Sequence, residues 1–456
     1  MKLLSKAYII LYSLCLFGCK KYLGAKPDKS LETPTTVAAL QGILDYFYYM
    51  NQQCEQSSEI ASDNYYLTDS LFNALPADRM RNAYLWEEHI FNGTHPDDWQ
   101  NEYTVVYNAN VVLDNLPLIQ RDETNAKDWD NCKGQALVFR AKSFLEIAQV
   151  WSKAYDSVTA NTDLGIPLRL TSDYNIPTKR SSIKETYNQI ITDLKTAIPL
   201  LPDNPVFVFR PSKAAAYGLL ARTFLIMGNY SLALLYSDSC LQIKNTLLDF
   251  NNFSPTKTYP FSTIQYSNSE DILHSTTTGG VNYNLIKSYG RIDSALYKSY
   301  DTNDLRKSLF FKQNSDGSYY FTGNYNGTSS SSCFNGLAVD EIYLIRAESE
   351  IRLDNIESAT EDMNYLLENR WKSGTFKPLV FTNVQDALSI ILSERRKELV
   401  YRSLRFSDIK RLNITGAGIV LKRSINGQTY SLEPNDNKYA LPIPDNVIQI
   451  SGIVQN

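Results

Sequence analysis

Histidine is scarce in this chain of 456 residues: His89, His95 and His274 are the only three, and none stands in an H-E-x-x-H spacing. Neither G-x-S-x-G nor a phosphate-cradling P-loop occurs, so the common signatures of metalloprotease, serine-hydrolase and nucleotide chemistry are missing. Cysteine is also sparse, and no C-x-x-C pair exists among Cys15, Cys19, Cys54, Cys132, Cys240 and Cys333, which excludes zinc-ribbon and thioredoxin-like readings. Charge of one sign is lacking too. With 45 basic and 49 acidic residues the formal net charge is −4, and no basic field of the kind that holds nucleic acid is present. No cofactor and no catalytic residue is expected. Paired carboxylates for glycoside hydrolysis are not identified by spacing in a chain with 49 acids.

One apolar run stands near the start. Lys2 and Lys6 form a basic n-region, residues 7–17 an apolar h-region too short to span a bilayer, and Leu16-Phe17-Gly18-Cys19 a lipoprotein-type cleavage site. Residues 1–18 are therefore expected to be removed as a signal peptide, leaving Cys19 to carry acyl chains of the palmitate type. Each buried methylene contributes about 0.8 kcal/mol, so several chains make a stable anchor. Residues 19–35, polar and holding Pro27 and Pro34, read as a lipidated tether, with the body running from 36 to 456. Cys54, Cys132, Cys240 and Cys333 are expected as buried free thiols, because a core this large needs no staple.

Helical periodicity dominates the body. Leu137, Ala141, Phe144, Ala148 and Trp151 make one stripe; Ile183, Tyr187, Ile190, Leu194, Ala197 and Leu201 make another, with Ser181 or Ser182 as N-cap and Glu185 at capping-box distance. Residues 211–245 fit a tetratricopeptide hairpin: Tyr217, Leu220, Ala221 and Phe224 on the first helix, Gly228-Asn229-Tyr230 at the turn, Ala233 and Cys240 at the close contact. Ser237 stands where a large apolar residue is expected. A weaker copy spans 340–369, with Tyr343, Ala347, the Asp354-Asn355 turn and Ala359. Between the copies, residues 250–325 are rich in Asn, Ser, Thr, Gly and Tyr and read as a loop-rich insertion, and the proline-bearing end at Leu441-Pro442-Ile443-Pro444 reads as a strap across the body. The fold class is all-α.

Several segments together resemble the SusD/RagB family of outer-membrane nutrient-binding lipoproteins. Cys19-Lys20-Lys21-Tyr22-Leu23 with Lys26-Pro27-Asp28 is similar to its mature start; residues 99–110, 134–141, 187–202 and 213–233 to its helices; Asp304-Leu305-Arg306 to a late motif. Glu394-Arg395-Arg396-Lys397-Glu398-Leu399 followed by Arg405, Asp408 and Arg411 resembles the family's ERR-x-EL and R-x-x-D-x-x-R signature, and Ile443-Pro444 and Gln455-Asn456 resemble its closing residues. Arg402-Ser403 departs from the usual Glu-Gly, at what reads as a structural helix end. The resemblance implies tetratricopeptide-like helical hairpins and no catalysis. It further implies an outer-membrane location, exposed at the cell surface, and capture of oligosaccharide, or in some members peptide. Delivery is to a partner SusC-like TonB-dependent transporter. A protein-binding repeat scaffold is the alternative; its repeats should run back to back, without the insertion.

Glycan recognition needs aromatic faces for C–H surfaces and planar polar groups for hydroxyls. Tyrosines at helical spacing, Tyr187, Tyr217 and Tyr343, read as core. Aromatics in two non-periodic stretches are the candidates, and the resemblance points to loops in the same two regions. Trp86, Tyr65, Tyr66, Tyr283 and Tyr289 are expected as stacking residues, with Asp63, Asn64, Arg81, Asn282 and Asn284 as polar partners. The charged signature from Glu394 to Arg411 reads instead as structural ion pairing along a helix, Glu394 and Glu398 facing Arg395 and Arg402.

Overall fold

A computed structural model describes residues 34–91, 97–261, 268–277, 288–327 and 332–456. The expected signal peptide, Cys19 and nearly all of the tether lie outside the described residues. Helix α1 (Val37–Leu44) starts where Thr36 Oγ1 accepts the Ala39 N–H at 3.1 Å. It packs on α2 (Asp97–Asn115) and α3 (Ala126–Trp151), whose own pairing encloses Leu40, Leu44, Val105, Ala109, Val112, Cys132, Ala136 and Phe139.

Helix α4 (Ile183–Ala197) carries the expected cap. Ser182 is the N-cap, its hydroxyl accepting the Glu185 N–H at 3.1 Å while Glu185 accepts the Ser182 N–H at 2.8 Å, a complete capping box. Ile183, Tyr187, Ile190, Leu194 and Ala197 face inward, as the stripe predicts. Helices α5 (Lys213–Ile226) and α6 (Tyr230–Ile243) form the tetratricopeptide hairpin, with Gly228 at φ +71° in the turn, where a Cβ would cost strain. Ala233 and Cys240 are fully buried at the helix contact. Tyr217 is only half-buried, and it and Phe224 both stack on Tyr236. Ser237 is buried without an apolar side chain because its hydroxyl donates to the Leu234 carbonyl at 2.9 Å.

The weaker copy also folds as a hairpin. Helices α7 (Val339–Arg352) and α8 (Ile356–Glu368) pack through Ala347 and Ala359, and Asp354 takes φ +63° in the turn. Helix α9 (Val384–Glu398) lies on α7, and α10 (Arg405–Ile414) follows, then a hairpin pairing Leu421–Ile425 with Gln428–Leu432. The strap is tied down at both ends: Leu441 N–H donates to Val150 O at 3.0 Å, and Gln455 bonds Ile443 through both its amide atoms. Cys54, Cys132, Cys240 and Cys333 are buried thiols outside any disulfide, as expected.

The insertion is more ordered than its composition predicts. Its described part holds helices Ser294–Ser299 and Leu305–Phe310 and a β-hairpin, Phe311–Gln313 with Tyr319–Phe321. It is anchored by Phe250, Phe261, Phe310, Phe321 and Tyr325, all buried against the helical core. Strand Asp271–Leu273 pairs with Leu337–Ala338 just ahead of α7. A Cβ on Gly336 would stand 2.2 Å from the Leu273 carbonyl oxygen and 2.8 Å from the Phe334 ring. Gly336→Ala is therefore expected to lower stability by about 2 kcal/mol, read as a shifted urea midpoint with unchanged slope.

Candidate functional site

The first non-periodic stretch, residues 63–86, meets the chain that directly follows the second, residues 279–289. Tyr65 and Tyr66 pair antiparallel with Ile292 and Arg291, and Asp293 N–H donates to the Asn64 carbonyl at 2.9 Å. Of the second stretch, only residues 288 and 289 are among the described residues. Asn282, Tyr283 and Asn284 lie outside the described residues. Tyr66 and Tyr289 are half-buried, each keeping part of its ring at the surface.

Tyr65 and Trp86 differ from expectation. Trp86 is 2 % exposed, with its Nε1–H donating to Ala61 O at 3.0 Å, and Tyr65 is 4 % exposed with its hydroxyl donating to Ile60 O at 2.9 Å. The Arg423 guanidinium lies over the Trp86 ring at 4.5 Å, Tyr84 at 3.6 Å and Tyr65 at 5.6 Å. These rings cage a cation from the C-terminal hairpin and present no face on which a sugar could stack. Trp86→Phe is expected to cost about 1–2 kcal/mol of stability while glycan retention stays unchanged, which paired melts and retention assays check. Asn64 is likewise buried, donating to Glu59 Oε1 at 2.8 Å. Arg81 is half-buried and spent locally on the Leu75 carbonyl and Asp78.

Asp63 sits at the junction of the site and the charged signature. Its carboxylate receives Arg405 Nε at 2.7 Å and Nη2 at 3.0 Å, and Arg396 approaches at 3.3 Å. Burial works against its ionisation, yet Arg405 and Arg396 outweigh burial and hold the carboxyl below its ordinary range. Arg396 also lies 3.5 Å from Asp293, and its side chain is 24 % exposed. A partly open guanidinium flanked by two carboxylates offers planar donors and acceptors to a hydroxylated ligand.

Other residues of this face were missed by sequence reasoning. Tyr297 and Tyr319 stack with centroids 3.6 Å apart, both half-buried, and Arg291 reaches Asp316 at 3.3 Å across the hairpin end. Asp316-Gly317 at a hairpin turn, Gly317 with φ +84°, flanked by Phe311 and Tyr319–Phe321, is the signal that could have found them. A separate cleft of about 270 Å³ is lined by Trp99, Tyr103, Tyr107, Arg169 and Tyr174. Its Arg169 is already committed to the Asp173 and Ile176 carbonyls and the Thr178 hydroxyl.

The signature itself is a buried ion-pair web, as its composition suggested; Lys397–Glu394 and Arg411–Asp408 each pair along one helix, but the expected Arg395 and Arg402 find their partners elsewhere. Arg306, fully buried, meets Asp304 at 2.7 Å, Glu394 at 2.6 Å and Glu398 at 2.9 Å. Glu398 also holds Arg370, which reaches Glu270 at 2.7 Å. Arg395 and Arg411 share Asp408, and Arg411 chelates Glu348 at 2.6 and 2.8 Å. Arg402, at the expected helix end, is buried and bidentate to Asp340 at 3.0 and 2.7 Å. Such a web fixes how α7, α9 and α10 sit against the insertion. Burial opposes the charge on Glu398, but Arg370 and Arg306 prevail and hold its carboxyl at about 2.

Two family models match this chain: "Starch-binding associating with outer membrane" over residues 21–225, and "SusD family" over residues 337–456. SusD-like protein P2 of Formosa agariphila is 26% identical over 430 residues, covering 80% of each chain. A putative sugar binding protein of Bacteroides vulgatus has the same fold, with TM-score 0.73 at 20% identity over 93% of this chain and 99% of that one. A laminarin binding SusD-like protein superposes with TM-score 0.66 at 17% identity over 93% and 99% of the two chains. With the helical hairpins in place and both ends of the chain matched in order, the protein belongs to the SusD/RagB family, whose members are carbohydrate-binding and associated with the outer membrane.

Proposed function

We propose that this chain is a cell-surface lipoprotein that binds oligosaccharide and delivers it to a SusC-like TonB-dependent transporter, with no catalysis of its own. The observation that supports this reading is the pairing of Tyr65-Tyr66 with Arg291-Ile292, which sets half-buried Tyr66 against the chain just after half-buried Tyr289, with the partly open Arg396 guanidinium contacting Asp63 and Asp293. Family membership and the laminarin-binding relative support carbohydrate as the ligand class. Tyr66 and Tyr289 are the stacking residues of choice and Asp63 with Arg396 the polar edge; Asn282, Tyr283 and Asn284, outside the described residues, are kept as further ligand-binding candidates. Among the described residues no helix is long and apolar enough to cross a membrane; the proposed attachment is lipid on Cys19, with residues 19–35 as the tether.

The anchor and partner are tested together. Affinity-tagged protein drawn from detergent-solubilised outer membranes is expected to bring down a large β-barrel, and Cys19→Ala to abolish growth-linked glycan uptake while leaving binding by the soluble body intact. Loss of soluble binding in that variant, or no barrel in the eluate, overturns the delivery reading. Tyr66→Ala and Tyr289→Ala are each expected to weaken glycan retention about tenfold, or ~1.4 kcal/mol, with no change in the melting temperature of more than a few degrees.

A further inference from the structure

Away from this face, four ionisable side chains are buried together: Cys54, Glu102, Lys142 and Glu146 are 4, 1, 4 and 6 % exposed. Lys142 Nζ lies 3.3 Å from Cys54 Sγ and 2.6 Å from Glu146 Oε1. Single ligand atoms of Cys54, Glu102 and Glu146 stand within 4.8 Å of one another, a spacing that could hold a metal ion, but a cation already stands among them in the Lys142 ammonium. Asn335 Nδ2 donates to the same Glu146 oxygen, Oε1, at 3.2 Å. A buried amine is therefore held against a thiol, with a carboxylate in contact to take its proton.

We propose that Cys54 and Lys142 are a redox pair that becomes joined through one oxygen atom, Nζ–O–Sγ, when the protein meets dioxygen. The step balances with dioxygen as the oxidant: R-NH3+, R'-SH, the Glu146 carboxylate and O2 give R-NH-O-S-R', neutral Glu146 carboxylic acid and one water. An S–O and an N–O bond form; the O–O bond, the S–H bond and two N–H bonds break. Sulfur and nitrogen each lose two electrons, and dioxygen takes all four. The third ammonium proton passes to Glu146. Dioxygen is small and apolar enough to enter a packed interior, and the reaction replaces a buried ion pair by neutral groups, removing the desolvation cost of two charges. At 3.3 Å the two atoms need only a slight approach to accept a single bridging oxygen.

The link has a place in the fold. Cys54 forms a bridge with Thr277, and its N–H donates to the Thr276 carbonyl at 3.2 Å, immediately before the segment that carries the second candidate stretch. Lys142 lies at the middle of α3. Joining them ties the strand-like contact of Cys54 with Thr276 and Thr277 to the longest helix of the core.

The test is direct on the wild-type protein. After incubation in oxygen-saturated buffer, intact mass is expected to rise by about 14 Da, one oxygen gained and two hydrogens lost, and the titratable thiols in denaturant to fall by one. A proteolytic map should show the Cys54 and Lys142 peptides linked, and dithiothreitol should separate them. Cys54→Ser and Lys142→Arg should each abolish the shift. An unshifted mass with every thiol still titratable overturns the proposal. So does oxygen found on Cys54 with the Lys142 peptide free, and both readings hold whether or not the variants fold.

Discussion

Replacing Arg306 with Met is expected to remove about 3–5 kcal/mol of stability, a large fraction of what holds any domain together. Arg306 has no solvent access and neutralises three carboxylates at once, Asp304, Glu394 and Glu398. The substitution leaves the stem's packing nearly intact and deletes only the charge, so Asp304 is stranded in a dry interior and Glu398 keeps Arg370 alone. The cost is dominated by these uncompensated charges rather than by a lost attraction, because buried pairs break even at best against apolar replacements. Two measurements separate the causes. Urea unfolding of Arg306→Met gives the total, and adding Asp304→Asn in the same chain should restore about 1–2 kcal/mol by removing the most exclusively dependent partner. A loss below 1 kcal/mol would mean that water reaches the web.

Acid should unfold the protein through the same residues. Glu398, held at about 2 against an unfolded value of 4.5, binds its proton less readily when folded. Its contribution is complete above pH 4.5 and is lost as the pH falls from 4.5 through 2, about 3 kcal/mol in all. Asp408 and Glu348 are also depressed: burial opposes their charge, but Arg395 and Arg411 dominate at Asp408 and Arg411 at Glu348, so they add to the loss over the same side. Glu59 runs the other way. Burial pushes its carboxyl up to about 7 despite hydrogen bonds from Asn64, Ser62 and Ser403, so folding takes up a proton there. That contribution is full below 4.5 and lost as the pH rises from 4.5 through 7. Burial also pushes Asp340 up to about 7 and Glu350 to about 8, so stability against pH should peak in mildly acidic buffer, and Glu59→Gln should make the upper limb shallower while leaving the acid limb in place. Denaturant melts across pH 2–8 give the profile.

The helical scaffold was legible because its signals are local. A capping box at Ser182 and Glu185, small residues at Ala233 and Cys240, and a turn at Gly228 each specify structure within a few residues. The site was less legible because burial is decided from afar. Trp86 and Tyr65 sit in a non-periodic stretch that reads as surface, and side chains from the far end of the chain enclose them: Arg423 on both, Phe406, Ile409, Leu421 and Leu432 in the cluster with Trp86, and Tyr401 on Tyr65. The charged signature reads as structural from composition, but its partners Arg370, Asp340, Glu348 and Arg306 lie 28 to 92 residues away, beyond any helix period. Tyr297 and Tyr319 went unread for a different reason. Their hairpin carries a local Asp-Gly turn, hidden in a composition rich in loop-forming residues.

Capture without cleavage is the centre of this account, and affinity electrophoresis of the purified protein through gels containing laminarin, starch or other neutral glycans tests it most directly. The account predicts retardation by at least one glycan, relieved by Tyr66→Ala and Tyr289→Ala, with chain length of the glycan unchanged after prolonged incubation. Shortened glycan, or free migration through every polymer in the panel, would contradict it.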